Sequence, residues 1–208
     1  MVINWYGEGC FKIQSGQVTI LTDPFESATG LTPPRFHADI TLKTLADYPL
    51  PYNHAEAPMI LGPGEYEVKG VEISGWPINE EQATRDKGQE FLKTVYLVKV
   101  EDMNLGFLGH LREMPEAAII EELGEVDLLF VPAGGAPFIS QEAAAKLIKQ
   151  ISPKMVMASF FKIPGLNRKS DDSKEFLKEL GQKSEPQEKL TIKKKELPAT
   201  TQVAVLKV

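Results

Sequence analysis

The sequence predicts a mixed α/β protein, two stacked sheets with helices on the outer faces, folded as a single domain over residues 1–208. Three observations predict it. Short strands separated by turns fill the first half, and helices alternate with continuous apolar strands in the last third. No repeat, linker or composition break divides the two regions. Two sheets laid face to face bury every apolar face that this pattern creates.

Val2–Tyr6, Cys10–Gln14 and Val18–Thr22 read as strands, with Ser15-Gly16 turning the chain and Asp23-Pro24 stopping it. Ala38–Thr44 is a further strand. Beyond it the prolines of Tyr48-Pro49-Leu50-Pro51 remove amide donors and exclude a regular helix, so residues 45–57 are expected to form an irregular loop. Two hairpins follow, Glu65–Val68 with Val71–Gly75 and Thr94–Val100 with Leu105–Leu108. Between them, residues 79–90 are polar with no apolar face and read as an exposed, mobile excursion. Pro115 and Gly124 bracket a short helix. Ser140 caps a second helix, with Ala144, Leu147, Ile148 and Ile151 on one stripe, and Asp171-Asp172 open a third that carries Phe176. Val126–Val131 and Met155–Phe160 are buried strands, and Leu190–Lys195 and Val203–Val208 complete the set.

Composition removes several function classes. The formal net charge is -6, from 29 acidic against 23 basic side chains. A field of that sign repels phosphate backbones, so no nucleic-acid partner is expected. The run Lys193–Lys195 reads as the solvated face of a strand. A single cysteine, Cys10, permits no intrachain disulfide. No apolar run approaches the ~20 residues that span a bilayer, and the first residues lack the pattern of a signal peptide. A cytoplasmic location without membrane partners is expected.

The order of motifs is similar to that of a known family. Gly7-Glu8-Gly9-Cys10-Phe11-Lys12-Ile13, Ile20-Leu21-Thr22-Asp23-Pro24-Phe25 and Ala38-Asp39-Ile40-Thr41-Leu42 resemble the opening of metallo-β-lactamase-fold hydrolases. Gly62–Val68, Val126–Gly135 and Ile163-Pro164-Gly165 continue the resemblance, which runs from about residue 2 to about residue 207. The family includes ascorbate-phosphate lactonase-like and related zinc-dependent hydrolases. The resemblance implies a four-layer αββα sandwich and a dinuclear metal site whose first ligands lie in an H-x-H-x-D-H loop after the strand Ala38–Thr44.

At those ligand positions this chain carries Leu45, Asp47, Pro49 and Leu50. The family's H-L-G-D becomes Phe107-Leu108-Gly109-His110, and a late ligand histidine becomes Phe160. Leucine, proline and phenylalanine offer no lone pair to a divalent cation. Asp23 remains, and the resemblance gives it an orienting role rather than that of a primary ligand. No cofactor is therefore expected, with zinc as the alternative.

The remaining polar residues leave alternatives open. Asp23, Asp47 and His110 mark a vestigial cleft. Asp23, Asp47, His54 and His110 could rebuild one non-standard metal site, giving a hydrolase of phosphoesters, lactones or thioesters. His37 and His54 otherwise read as loop residues. Cys10 begins an apolar strand, so a small buried hydrophobe describes it better than a nucleophile paired with His110. Phe107, Phe160, Phe161, Trp5 and Tyr48 are candidates to line an apolar cleft for a small molecule. The leading expectation is a non-catalytic binding, scaffolding or regulatory module, whose partner is an active paralogue or a second copy of itself.

Overall fold

The computed structural model describes residues 1–50, 58–78, 85–86 and 89–208; of Arg85, Asp86 and Gln89 only the backbone is described. The chain builds two sheets. The six-stranded sheet holds β1 (Val2–Gly7), β2 (Cys10–Ser15), β3 (Val18–Thr22) and β4 (Ile40–Lys43). The next strand, β5 (Leu45–Tyr48), leaves this sheet, and β6 (Met59–Leu61) returns to it. The nine-stranded sheet holds β5, β7 (Gly64–Val68), β8 (Val71–Pro77), β9 (Arg85–Asp86), β10 (Gln89–Val100) and β11 (Met103–Phe107). Three crossovers complete it: α1 (Ala117–Leu123) leads to β12 (Leu128–Pro132), α2 (Gln141–Ile151) to β13 (Met155–Ser159), and α3 (Ser173–Glu179) towards the end of the chain. There β14 (Leu190–Thr191) joins the six-stranded sheet beside β1, and β15 (Gln202–Ala204) pairs with β13.

The alternation read from the sequence explains these layers. In β1, Ile3 and Trp5 are buried while Val2, Asn4 and Tyr6 are half-buried, as expected for a strand with one face on a core. By contrast, every residue of β12 and β13 is buried. Parallel strands covered on both faces need such continuous apolar runs. The inner faces of the two sheets share one core. Phe11 of β2 meets Phe130 of β12 edge-on at 4.8 Å between ring centroids, and Phe130 stacks on Phe107 at 4.4 Å.

Helix ends follow the sequence chemistry. The Ser140 side chain accepts a hydrogen bond from the Ala143 amide at 3.2 Å, and Asp172 accepts one from the Lys174 amide at 2.7 Å. Ala144, Ala145, Leu147 and Ile148 are the buried face of α2. Ser140→Ala should cost about 1 kcal/mol, the usual worth of an N-cap. A shift of roughly 2–4 °C in thermal melts would register it.

Three expectations are corrected. Residues 45–57 are not wholly irregular, because Leu45–Tyr48 pairs antiparallel with β10 in the register Lys93↔Leu45 to Glu90↔Tyr48. Backbone pairing to β10 outweighs the prolines, which follow the strand rather than interrupt it. Second, β10 is longer than expected and begins at Gln89 within the polar excursion, where it pairs with β9. Residues 51–57, 79–84 and 87–88 lie outside the described residues. Third, Leu190–Lys195 is a two-residue strand followed by a 3₁₀ turn at Lys194–Glu196. Lys194 there pairs with the buried Asp127 at 2.6 Å, so that part of the basic run is a structural contact.

Candidate functional site

Loops at one edge of the two sheets meet around a three-residue hydrogen-bonded chain. Asp23 follows β3, Thr44 lies between β4 and β5, and His110 follows β11. Thr44 is the point where the chain passes from one sheet to the other. Its amide donates to Asp23 Oδ1 at 2.7 Å, its hydroxyl donates to Asp23 Oδ2 at 2.7 Å, and its carbonyl accepts from the Thr94 amide at 3.0 Å. Thr44 Oγ1 also lies 2.8 Å from His110 Nδ1. Threonine has one hydroxyl proton, and Asp23 takes it. His110 Nδ1 must then carry hydrogen and donate to Thr44, which leaves Nε2 as the basic nitrogen.

Glycine makes this approach possible. Gly109 has φ +51°, and a Cβ there would overlap the Thr44 side chain. Across the cleft, a Cβ on Gly9 would lie 2.8 Å from Asp23 Oδ2 and would also overlap the Phe160 ring. Gly9 belongs to a motif that carries the family resemblance and Gly109 to the segment that departs from it, and both serve close packing at this edge.

Aromatic rings cover the chain of hydrogen bonds. Phe160 and Phe138 meet the His110 ring edge-on at centroid distances of 4.9 and 5.7 Å, and lie 4.5 Å from each other. Arg168 fastens this cover to the opposite loop. Its Nε and Nη2 donate to the two Glu8 carboxylate oxygens at 3.1 and 2.8 Å, and Nη2 also donates to the Phe160 carbonyl at 2.7 Å. The guanidinium lies over the Phe138 ring, 4.8 Å from its centroid. Glu8, Asp23 and Phe160 all hold positive φ, at 50°, 36° and 53°. Non-glycine residues rarely take that conformation, and such strain clusters at binding and catalytic sites.

Burial governs the electrostatics. It raises the Asp23 carboxyl to about 6, against the opposing hydrogen bonds from Thr44. The His110 imidazole falls to about 3, first through burial and then through the positive charges of Lys93, Arg168, Arg112 and Lys43. At neutral pH the pair is an ionised carboxylate bridged by a hydroxyl to a neutral imidazole. Burial, with Asp23 nearby, pushes the Cys10 thiol far up, so it is protonated and no thiolate nucleophile.

The sequence-derived site residues separate into groups. Asp23 and His110 come together, and Asp23 orients Thr44. Asp47 is exposed on β5 opposite Phe91 and stands outside this hydrogen-bonded chain. His54 lies outside the described residues. Leu45 is part of the β5–β10 ladder, and Pro49 and Leu50 are exposed just beyond it. The single apolar cleft is corrected. Phe107 is stacked on Phe130 in the core, Trp5 stacks on Phe161 at 4.5 Å, and Tyr48 is exposed. Of those five rings, Phe160 alone touches His110 among the contacts described. Thr44, Glu8, Phe138 and Arg168 were not legible as site residues.

A zinc ion does not fit these donors. Catalytic zinc needs three protein ligands and an open position. Asp23, whose oxygens each accept one hydrogen bond from Thr44, and His110 Nε2 are the only donors this hydrogen-bonded chain could turn to zinc, one ligand short of a catalytic site. Among the described residues, no group of three or more His, Cys, Asp or Glu side chains could hold a metal ion.

Two sheets with crossover helices, and loops gathered at one edge, define a protein of the metallo-β-lactamase type. The chain belongs to the family of the beta-lactamase superfamily domain, whose model matches residues 2–159. Its structure is similar to that of a Thermotoga maritima protein described as a Zn-dependent hydrolase of the metallo-beta-lactamase superfamily. That match has 27% identity and a TM-score of 0.77, covering 99% of this chain and 97% of the other. It shares its fold with a metal-dependent hydrolase, so described, from Parabacteroides distasonis, at 15% identity and TM-score 0.61 over 99% and 93% of the two chains. The metallo-beta-lactamase fold protein YhfI of Bacillus subtilis matches at 9% identity and TM-score 0.60 over 98% and 95%. No curated protein matches the sequence. Among the described residues, no helix is long and apolar enough to cross a membrane.

Proposed function

We propose that this chain is a non-catalytic member of its family, a module that binds a small ligand at the edge where hydrolytic relatives hold metal. One observation carries the reading: Leu45–Tyr48, the segment that should present the first metal ligands, is spent as a strand on β10. Backbone pairing fixes it in an extended conformation, and Leu45 has no donor atom to offer. The Asp23–Thr44–His110 chain supports the same reading, because a hydroxyl joins two side chains that a metal would otherwise compete for.

Loss of chemistry does not mean loss of use. Three strained residues, Glu8, Asp23 and Phe160, still converge at this edge, and Arg168 still clamps two of them. Strain of this kind persists only where surrounding contacts over-determine it. A preformed edge of that sort favours a small ligand over a flat protein surface.

Metal analysis tests the proposal. Purified, dialysed protein should contain substoichiometric zinc, manganese and iron. Added zinc should leave its melting temperature unchanged, whereas a bound ion at 1,000 times its dissociation constant adds about 4 kcal/mol. Phosphodiester, lactone and thioester substrates should not turn over. Stoichiometric metal whose removal abolished hydrolysis would overturn the reading.

A further inference from the structure

We propose that the small ligand of this edge is uncharged and of the phenol or azole class, with an O–H or N–H group that it donates to Nε2 of His110. On the metal-free reading above, this class follows from where the protons lie in the Asp23–Thr44–His110 chain. The Thr44 amide and hydroxyl both donate to Asp23, each at 2.7 Å. The hydroxyl has no second proton for the imidazole. Nδ1 of His110, 2.8 Å from Thr44 Oγ1, is therefore the donor of that bond. Burial keeps the ring uncharged near neutral pH, and it raises Asp23 only to about 6, so the carboxylate is ionised there. A neutral imidazole holds one ring proton, and Nδ1 has it. Nε2 is fixed as an acceptor.

That acceptor is unspent and open. Among the described residues, nothing hydrogen-bonds Nε2. The buried side-chain polar atoms without a partner there are Thr94 Oγ1 and Ser170 Oγ, so Nε2 is not shut off from solvent. The His110 side chain is 22% exposed. The rest of the ring is walled by Phe160 and Phe138, which meet it edge-on at 4.9 and 5.7 Å between centroids. A placed polar atom in an aromatic wall is how small-molecule sites are built.

Charge is disfavoured by the same contacts. An anion at Nε2 would set lone pair against lone pair, with the Asp23 carboxylate 4.0 Å from Nδ1 on the far side of the ring. Of the cations near His110, Arg168 is paired with Glu8, and Lys93 and Arg112 engage other groups. A cationic ligand would have to compete with Arg168 for Glu8 and with Thr44 for Asp23. An uncharged donor satisfies Nε2 without desolvating an ion. A site built around one acceptor also rejects analogues that lack the donor, because the acceptor is then left unpaired.

Nitrogen-15 NMR of the intact protein near neutral pH tests this. Long-range proton–nitrogen correlation shows which ring nitrogen carries hydrogen in each of the three histidines. The signal lost in His110→Asn identifies His110, which should be the Nδ1–H form. Phenol and pyrazole should shift its Nε2 resonance saturably. Anisole and 1-methylpyrazole, close in shape but without the donor, should bind at least about tenfold more weakly, or roughly 1.4 kcal/mol. Benzoate, the charged control, should bind no better than anisole. An Nε2–H form, no saturable binding of phenol or pyrazole, or equal binding of the methylated probes would overturn the inference and leave the metal-free reading intact. Benzoate binding above phenol would do the same. An Nε2 resonance that moves when a chelator is added to the purified protein would reveal bound metal and overturn both.

Discussion

Thr44→Val should lower the melting temperature by about 10 °C, since a cost of roughly 3–5 kcal/mol translates at about 2–4 °C per kcal/mol for a chain of this length. Valine has nearly the shape of threonine, so the substitution opens no cavity. It removes the hydroxyl that donates to Asp23 Oδ2 and accepts from His110 Nδ1. Thr44 is 1% exposed, and the Asp23 side chain is 8% exposed, so water cannot readily replace the lost partner. A buried carboxylate without one of its donors and an imidazole N–H without its acceptor are each penalised. Thr44→Ser keeps the oxygen and should stay within about 1 kcal/mol of the parent, the cost of one deleted methyl. Thermal and urea denaturation of both variants checks the pair of outcomes. A valine variant that melts with the parent would mean that the bridge contributes nothing.

Thr44 also shows where sequence reading stops. The strands around it were legible because period-two burial leaves a mark in composition, as in Ile3 and Trp5 of β1 or the unbroken apolar run of β12. That Leu45, Pro49, Leu50 and Phe160 stand at positions where the family places metal ligands was legible too, since it depends only on which side chains occupy a known motif. What replaced them was not. Nothing in Leu45-Ala46-Asp47-Tyr48 announces a strand, because its partner is the polar start of β10 some 40 residues later. The ion pair between Glu8 and Arg168 joins residues 160 apart in sequence, and neither lies in a periodic segment. The five aromatic residues grouped as one cleft were an error of the same kind. Residue type placed them all in apolar surroundings, but only the topology sends Phe107 to the inter-sheet core and Phe160 to His110. Family membership settles the scaffold, and a scaffold does not fix chemistry.

Acid should separate His110→Asn from the parent protein by about 3 kcal/mol between pH 7 and pH 4.5, in favour of the variant. The imidazole titrates near 6.5 when the chain is unfolded and at about 3 when folded. Between those values the unfolded chain holds a proton that the folded one refuses, so the parent loses stability as pH falls. Asparagine has no such titration, and its amide can still donate to Thr44. Asp23 has the opposite sign. Its carboxyl titrates near 3.8 unfolded and at about 6 folded, so the folded chain holds the extra proton and stability rises as pH falls through that window. In the parent the two slopes oppose each other from about pH 4 to pH 6, and this site adds little net pH dependence. Removing one partner exposes the slope of the other. Asp23→Asn should therefore behave in reverse, losing one of the two acceptors that Thr44 uses at every pH but gaining on the parent as pH rises from about 4 to 6. Urea denaturation of all three proteins at several pH values measures both differences. Parallel curves would show that His110 and Asp23 titrate as they do in the unfolded chain, and would remove the electrostatic account of the edge.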